Sequence, residues 1–282
     1  MIQPPFLKKG DKIAITCPAK FPLVSMEQAI KLMESWGLEV IIGKTVTSQF
    51  HQFAGDDDFR AAEMQTFIND PSIKAIIAAR GGYGSVRIVD KIDFSPLMEA
   101  PKWIVGFSDI TVFHCHLNKL GLQTIHGQMP ATIPDSTAAG VESLRRALFG
   151  EAIDYVFENA EQLKALPPAE VIGGNLSILL SVLGSNSDPD YDGKILFIED
   201  VGEYYYSIDR MLRALDRAEK LKNLKGLIMG GFTAIKDNDI PFGFSIEEIV
   251  RDVVSKYGYP IVSGFPAGHI DDNWAVVLGK EN

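Results

Sequence analysis

Sulfur, positive charge and long apolar runs are all in short supply in this chain. Only Cys17 and Cys115 are cysteine among 282 residues, too few for a disulfide framework or a cysteine-based zinc site. Lys and Arg number 27 against 37 Asp and Glu, a formal charge of −10 that no basic stripe offsets, so a nucleic-acid partner is not expected. No stretch is long enough to span a bilayer, and residues 1–12 hold two prolines and three lysines but no apolar run. Neither a membrane partner nor a secretory signal is therefore expected, and the cytoplasm is the expected compartment. Phosphate-binding signatures are missing too. No G-x-x-x-x-G-K-[ST] occurs, and Gly81, Gly82 and Gly84 are too few and wrongly spaced for G-x-G-x-x-G. Of the five histidines, His114 and His116 stand at i and i+2 of a helical pattern, where side chains diverge. No metal and no cofactor are expected.

What is present reads as alternating strands and helices. At this length roughly three quarters of the unfolded surface can be buried, enough for two domains. Residues 12–16 form a strand pattern, followed by an amphipathic helix through Met26, Ala29, Ile30, Met33 and Trp36 that Gly37 stops, and a strand at 38–42. Phe59, Ala62, Met64 and Phe67 mark a helix over 57–68 with an acidic first turn suited to the helix dipole. Residues 75–79 are continuously apolar, as in a parallel sheet covered on both faces. Arg80-Gly81-Gly82-Tyr83-Gly84, a helix through Val86 and Val89, and a strand at 103–105 come next. This order predicts an open, doubly wound α/β domain over 1–150. A polar stretch over 151–168, closing on Pro167-Pro168, reads as a linker. A smaller α/β domain over 169–282 follows, with strands at 194–198, 226–229 and 260–262 and helices ending at Leu183, starting near Tyr206 and spanning 245–257. In such sheets ligands gather beyond the carboxyl ends of strands, so the glycine cluster and the residues after 105 share one rim.

The chemistry centres on Gly106-Phe107-Ser108-Asp109-Ile110. An apolar strand ends at a glycine, and Ile110, Phe113, Leu117 and Leu120 then recur at helical spacing before Gly121. Ser108 thus stands at a tight strand-to-helix turn that exposes its hydroxyl beside free helix-start N–H groups. The elbow pattern G-x-S-x-G is half present, with Ile110 at the second glycine, and a plain helix cap is the other reading of Ser108. Gly82 or a neighbour can bring a backbone N–H to a ligand oxygen opposite the Asp109 N–H; a tight turn without a ligand is the alternative. A serine nucleophile needs a base and an orienting acid. His269, in a loop after a strand, and His126, after a short strand, are the bases the order of elements allows. Glu199, directly after four apolar strand residues, is the better-placed acid, with Asp200 and Glu203 as rivals whose ordinary role is to cap the helix that follows.

Taken together these elements resemble the LD-carboxypeptidase family, the serine peptidases that include muramoyltetrapeptide carboxypeptidase and the microcin C immunity peptidases. The resemblance is carried by Phe53-Ala54-Gly55-Asp56, Arg80-Gly81-Gly82-Tyr83-Gly84, Gly106-Phe107-Ser108-Asp109 and Gly173-Gly174-Asn175-Leu176. Glu199-Asp200-Val201-Gly202-Glu203 with Asp209-Arg210-Met211-Leu212, and Gly268-His269, complete it. It implies a Rossmann-like or flavodoxin-like N-terminal domain with the nucleophile Ser108. A C-terminal domain would carry Glu199 as orienting acid and His269 as base, with oxyanion donors at the N–H groups of Gly82 and Asp109. It also implies a homodimer and a peptide substrate ending in a D-amino acid, released as D-Ala from a murein tetrapeptide. Arg80, Tyr83, Glu203 and Arg210 are the candidate substrate contacts. Either arginine can read a terminal carboxylate, although Arg210 can equally pair with Asp209 or Glu203. Where the family often has proline after the second glutamate and a basic residue further on, this chain has Tyr204 and Ser207. Two other functions stay open: a peptidase or amidase that detoxifies a peptidyl-nucleotide, and a non-catalytic small-ligand-binding protein.

Overall fold

A computed structural model describes residues 1–282. The first half runs β1 (Lys12–Thr16), α1 (Glu27–Ser35), β2 (Glu39–Ile42), α2 (Asp57–Asn69), β3 (Ile73–Ala78), α3 (Pro96–Glu99), β4 (Trp103–Gly106), α4 (Thr111–Lys119), β5 (Thr124–His126) and α5 (Ala138–Phe149). The second runs β6 (Val171–Asn175), α6 (Leu176–Val182), β7 (Ile195–Val201), α7 (Tyr205–Arg217), β8 (Gly226–Thr233), α8 (Ile246–Val254), β9 (Ile261–Val262) and β10 (Val276–Leu278). Strands β1, β3 and β4 are almost wholly buried, which is why 13–15, 75–78 and 103–105 are apolar throughout, with helices on both faces. No helix is long and apolar enough to cross a membrane.

Six strands form the first sheet in the order β10-β5-β4-β3-β1-β2. Its parallel part, 2-1-3-4-5, is the flavodoxin-like doubly wound order. The second sheet, β6-β7-β8-β9, has four strands and is wholly parallel. Helix caps fix where several helices begin. Asp56 accepts from Phe59 N–H before α2, Asn175 from Ile178 N–H before α6, and Ser245 closes a reciprocal capping box with Glu248 before α8. Each such cap supplies a partner to a backbone donor that the helix itself leaves free. One apolar cluster runs through both halves: Ile104 and Phe113 of the first share it with Ile172, Leu212 and Val250 of the second.

The structure departs from expectation in several places, among them β6 and α5, which the apolar spacing did not mark. The helix through Val86 and Val89 is two short 3-10 turns, Ser85–Arg87 and Val89–Lys91, because Gly84 and the buried Ser85 are held by neighbouring loops rather than by a helical repeat. Glu199 does not follow its strand but lies inside β7, and β8 continues to Thr233. His126 is the last residue of β5 rather than a loop residue. Strand β10 was not foreseen at all; it leaves the second half and pairs antiparallel with β5, Val276 opposite His126. Three apolar residues carry too little period to announce a strand.

Candidate active site

The carboxyl ends of β3 and β4 and one edge of the second sheet meet at Ser108. Its backbone φ is +64°, a left-handed value that a residue with a Cβ adopts only when its surroundings impose it. Two contacts impose it here. A Cβ at Gly106 would fall 2.8 Å from Ile110 Cγ1, so the residue standing in for the second glycine of the elbow motif packs directly over the first. On the other side the Gly81 backbone presses on the turn, with its Cβ position 3.2 Å from Ser108 Cβ and 3.4 Å from Asp109 N. The helix-cap reading of Ser108 is not realised, since neither the 3-10 turn Ser108–Ile110 nor α4 receives a side-chain cap.

Ser108 Oγ lies 2.9 Å from His269 Nε2, and His269 Nδ1 lies 2.7 Å from Glu199 Oε2. With the Nδ1 proton directed at the carboxylate, Nε2 is left to accept from the serine hydroxyl. Glu199 is completely buried. The register between β7 and β8 slips between Ile198 and Asp200, and such a bulge re-aims a side chain that would otherwise follow the strand alternation. His269 sits in a loop that Gly268 allows to approach. At φ +121°, a Cβ on Gly268 would stand 2.7 Å from Glu199 Cβ and 2.9 Å from its Oε2. Thr233 donates to the His269 carbonyl at 2.9 Å and Phe107 sets its ring edgewise to the imidazole. Burial pulls the His269 pKa down, but the hydrogen bond and charge of Glu199, helped by Asp200, outweigh it and leave it above the ordinary 6.5.

Gly82 is exposed, and its N–H donates to no backbone acceptor; the Asp109 N–H opens a helical turn, where donors lack an internal partner. The loop bearing Gly82 is fastened to the serine turn by a bond from Ser85 N–H to Asp109 Oδ2 at 2.8 Å. Arg60, which sequence reasoning missed, fastens it further. This fully buried side chain donates to the carbonyls of Pro18, Gly55 and Gly84 and to Asp57. Its only trace in the sequence was a charge at a core position of an amphipathic helix, which an arginine with a long apolar stem ordinarily fills by reaching solvent.

The remaining candidates lie in different surroundings. Asp200 does not cap the helix that follows it. Buried, it accepts from Asn175 Nδ2, Val201 N–H and Ser177 N–H and so holds the start of α6, while burial lifts its pKa to about 6. Arg80 is half-buried, donates to Phe21 O at 3.0 Å and has no carboxylate partner. Arg210 is exposed, donates to Ser207 Oγ and lies over the Tyr206 ring. It pairs with neither Asp209, which Arg213 engages, nor Glu203. Tyr83 is exposed beside Phe53, and Glu203 is half-exposed at the turn before α7. His126 is buried behind Phe107, with ring centroids 5.7 Å apart, and burial holds its pKa well below 6.5; it does not reach Ser108. A cavity of 270 Å³ adjoins the imidazole, lined by Phe107, Gln128, Thr132, Asp135 and Asp271. A second, of 470 Å³, lies at the opposite strand ends among Phe6, Trp103, Tyr155 and Phe265 and touches none of these residues.

Residues 13–127 match the LD-carboxypeptidase N-terminal domain and residues 169–282 the LD-carboxypeptidase C-terminal domain. The probable murein peptide carboxypeptidase of Bacillus subtilis is 36% identical over 99% of this chain and 90% of its own. Among solved structures, muramoyltetrapeptide carboxypeptidase from Oxalobacter formigenes superposes with a TM-score of 0.83 at 30% identity, covering 95% of this chain and 92% of the other. The microcin C7 self-immunity protein MccF, in its wild-type apo state, gives a TM-score of 0.86 at 20% identity over 99% and 94%, a likeness of fold alone.

Proposed function

Because the chain belongs to the LD-carboxypeptidase family, we propose that it is a serine carboxypeptidase of murein recycling. It cuts the amide between an L-centre and a C-terminal D-amino acid and so releases D-Ala from a murein tetrapeptide. The observation that carries this reading is the line from Ser108 through His269 to Glu199, at 2.9 and 2.7 Å. Ser108 Oγ attacks the scissile carbonyl carbon while its proton passes to His269 Nε2, and buried Glu199 stabilises the imidazolium that forms. The oxyanion is held by the N–H groups of Gly82 and Asp109. The C–N bond then breaks, His269 returns its proton to the leaving amine, and a water activated by the same imidazole releases the acyl group from Ser108. Cytoplasmic location and a homodimer belong to the same proposal. The nucleotide-detoxifying alternative rests on a likeness of fold, and no residue at this site favours it. The test is incubation with the synthetic tetrapeptide L-Ala-γ-D-Glu-diaminopimelate-D-Ala, read by mass spectrometry. Loss of one D-Ala is expected, and an intact peptide refutes the assignment.

An exopeptidase must also recognise the free carboxylate beyond the bond it cuts. Two cations next to the oxyanion loop have no carboxylate partner, Arg80 and the Lys20 that packs on Gly82, and of these the planar fork of Arg80 suits that group. A charge-assisted hydrogen bond contributes about 1.5–3 kcal/mol. Amidating the peptide C-terminus is therefore expected to raise KM about 10–100-fold, and Arg80→Leu to abolish the difference between acid and amide. Equal KM values for acid and amide in the wild-type protein would remove Arg80 from this role.

Gly268 offers a sharper check on geometry. A methyl group there meets Glu199 from below, so Gly268→Ala is expected to displace the imidazole and lower kcat about 10²-fold with KM little changed. A variant with wild-type kcat would mean that the loop yields without moving His269.

A further inference from the structure

Behind His269 lies a buried polar pair that the hydrolytic steps do not use. Asn273 is completely inaccessible, and its Oδ1 accepts the N–H of Gly268 at 2.8 Å. Its Nδ2 completes no hydrogen bond, and neither does either ring nitrogen of His126, also completely buried. Asn273 stands three residues before Val276, which pairs with His126 across β10 and β5. Unpartnered polar groups are rare in so dry a place, and here each is the natural partner of the other.

We infer that Asn273, backed by the His126 imidazole, is the positioning residue that sets where His269 stands relative to Ser108 and Glu199. This rests on the hydrolytic reading of the site. Gly268 has no side chain of its own to anchor, because Glu199 occupies the space where one would go. Its N–H is therefore the handle by which the loop is held from the first sheet. Thr233, from β8, holds the same loop at the next carbonyl. Asn273 lies in the loop three residues ahead of β10, whose Val276 stands opposite His126 on β5, so the docking of β10 beside β5 brings the amide towards the ring. Burial first, then the proximity of His114 and His269, keep His126 neutral, and a neutral imidazole retains the lone pair that an amide N–H needs.

The test needs no peptide substrate. The His269 ring is titrated by NMR, and the rate at which a fluorophosphonate labels Ser108 is measured in wild type, Asn273→Ala and Asn273→Asp. The charges that set the His269 titration are those of Glu199 and Asp200, with His126 neutral nearby. In Asn273→Ala the loop loosens from Glu199, so the His269 pKa is expected to fall towards 6.5 and labelling to slow by about 10-fold or more. Asn273→Asp keeps the acceptor for Gly268 and is expected to retain most of the labelling rate. Should Asn273→Ala not fold, Asn273→Ser, whose hydroxyl stops short of Gly268, carries the same expectation. A folded Asn273→Ala or Asn273→Ser protein with unchanged titration and labelling overturns the inference. If the wild-type protein itself resists the phosphonate, the serine mechanism fails instead, and the titration still decides the role of Asn273.

Discussion

Ser108→Ala is expected to lower kcat by about 10⁴–10⁶-fold, because the residual rate of a triad enzyme without its nucleophile comes only from binding and the oxyanion donors. KM should change little, since the hydroxyl contributes to bond-making rather than to holding the peptide. The fold should be untouched: alanine keeps the same Cβ in the same left-handed conformation, and its contact with Gly81 remains. Ser108→Gly separates catalysis from strain. It removes the Cβ that makes φ +64° costly, so stability is expected to rise by about 1 kcal/mol while activity vanishes. Thermal unfolding and progress curves on the tetrapeptide measure both quantities. More than about a tenth of wild-type activity in Ser108→Ala would exclude a serine nucleophile.

His269→Ala is expected to be nearly as severe, and the double variant with Ser108→Ala little worse, because members of a triad act as a unit. The base must be neutral to accept the serine proton, so kcat/KM should rise with pH. Glu199 holds the His269 pKa above 6.5, which places the acid limb of the profile above that of a free imidazole. Glu199→Gln withdraws the carboxylate charge. The limb should then move to lower pH while the plateau drops about 10⁴-fold, as when the orienting acid of a serine protease is made neutral. A profile that stays flat to pH 4, or activity that survives His269→Ala, would reject this base.

The serine turn was legible because its signals are local. An apolar strand, a glycine and a helical repeat follow one another within a few residues, whereas His269 carried no such signal: the order of elements left it level with His126, and only the family resemblance chose between them. What was not legible depends on partners distant in the chain. The spacing of apolar residues placed Glu199 after its strand; the bulge opposite β8 that turns it towards His269 arises only when the two strands pair. Sequence pointed to Gly82 or its neighbour as the oxyanion donor; that Gly81 is the residue pressing on the serine turn is set by how β3 abuts β4. Asp200 reads as the cap of the next helix because it precedes one, yet parallel pairing brings Asn175 alongside β7, and α6 takes the carboxylate. Asn273 left no pattern and Arg60 only a charge at a core position of its helix, since a polar residue holds a buried position only through groups that other elements bring to it.

The return of β10 to the first sheet has a consequence for when the protein becomes active. Ser108 is in place once the early strands have paired, but 161 residues separate it from His269. The base is held by a loop whose far end is fixed only when the final strand docks beside β5. Contacts so remote in sequence are the slow ones in folding. During synthesis from the amino end, Ser108 is thus placed early and meets His269 only after the residues of β10 have been made. On the proposed mechanism, the line from Ser108 through His269 to Glu199 closes only when β10 has docked.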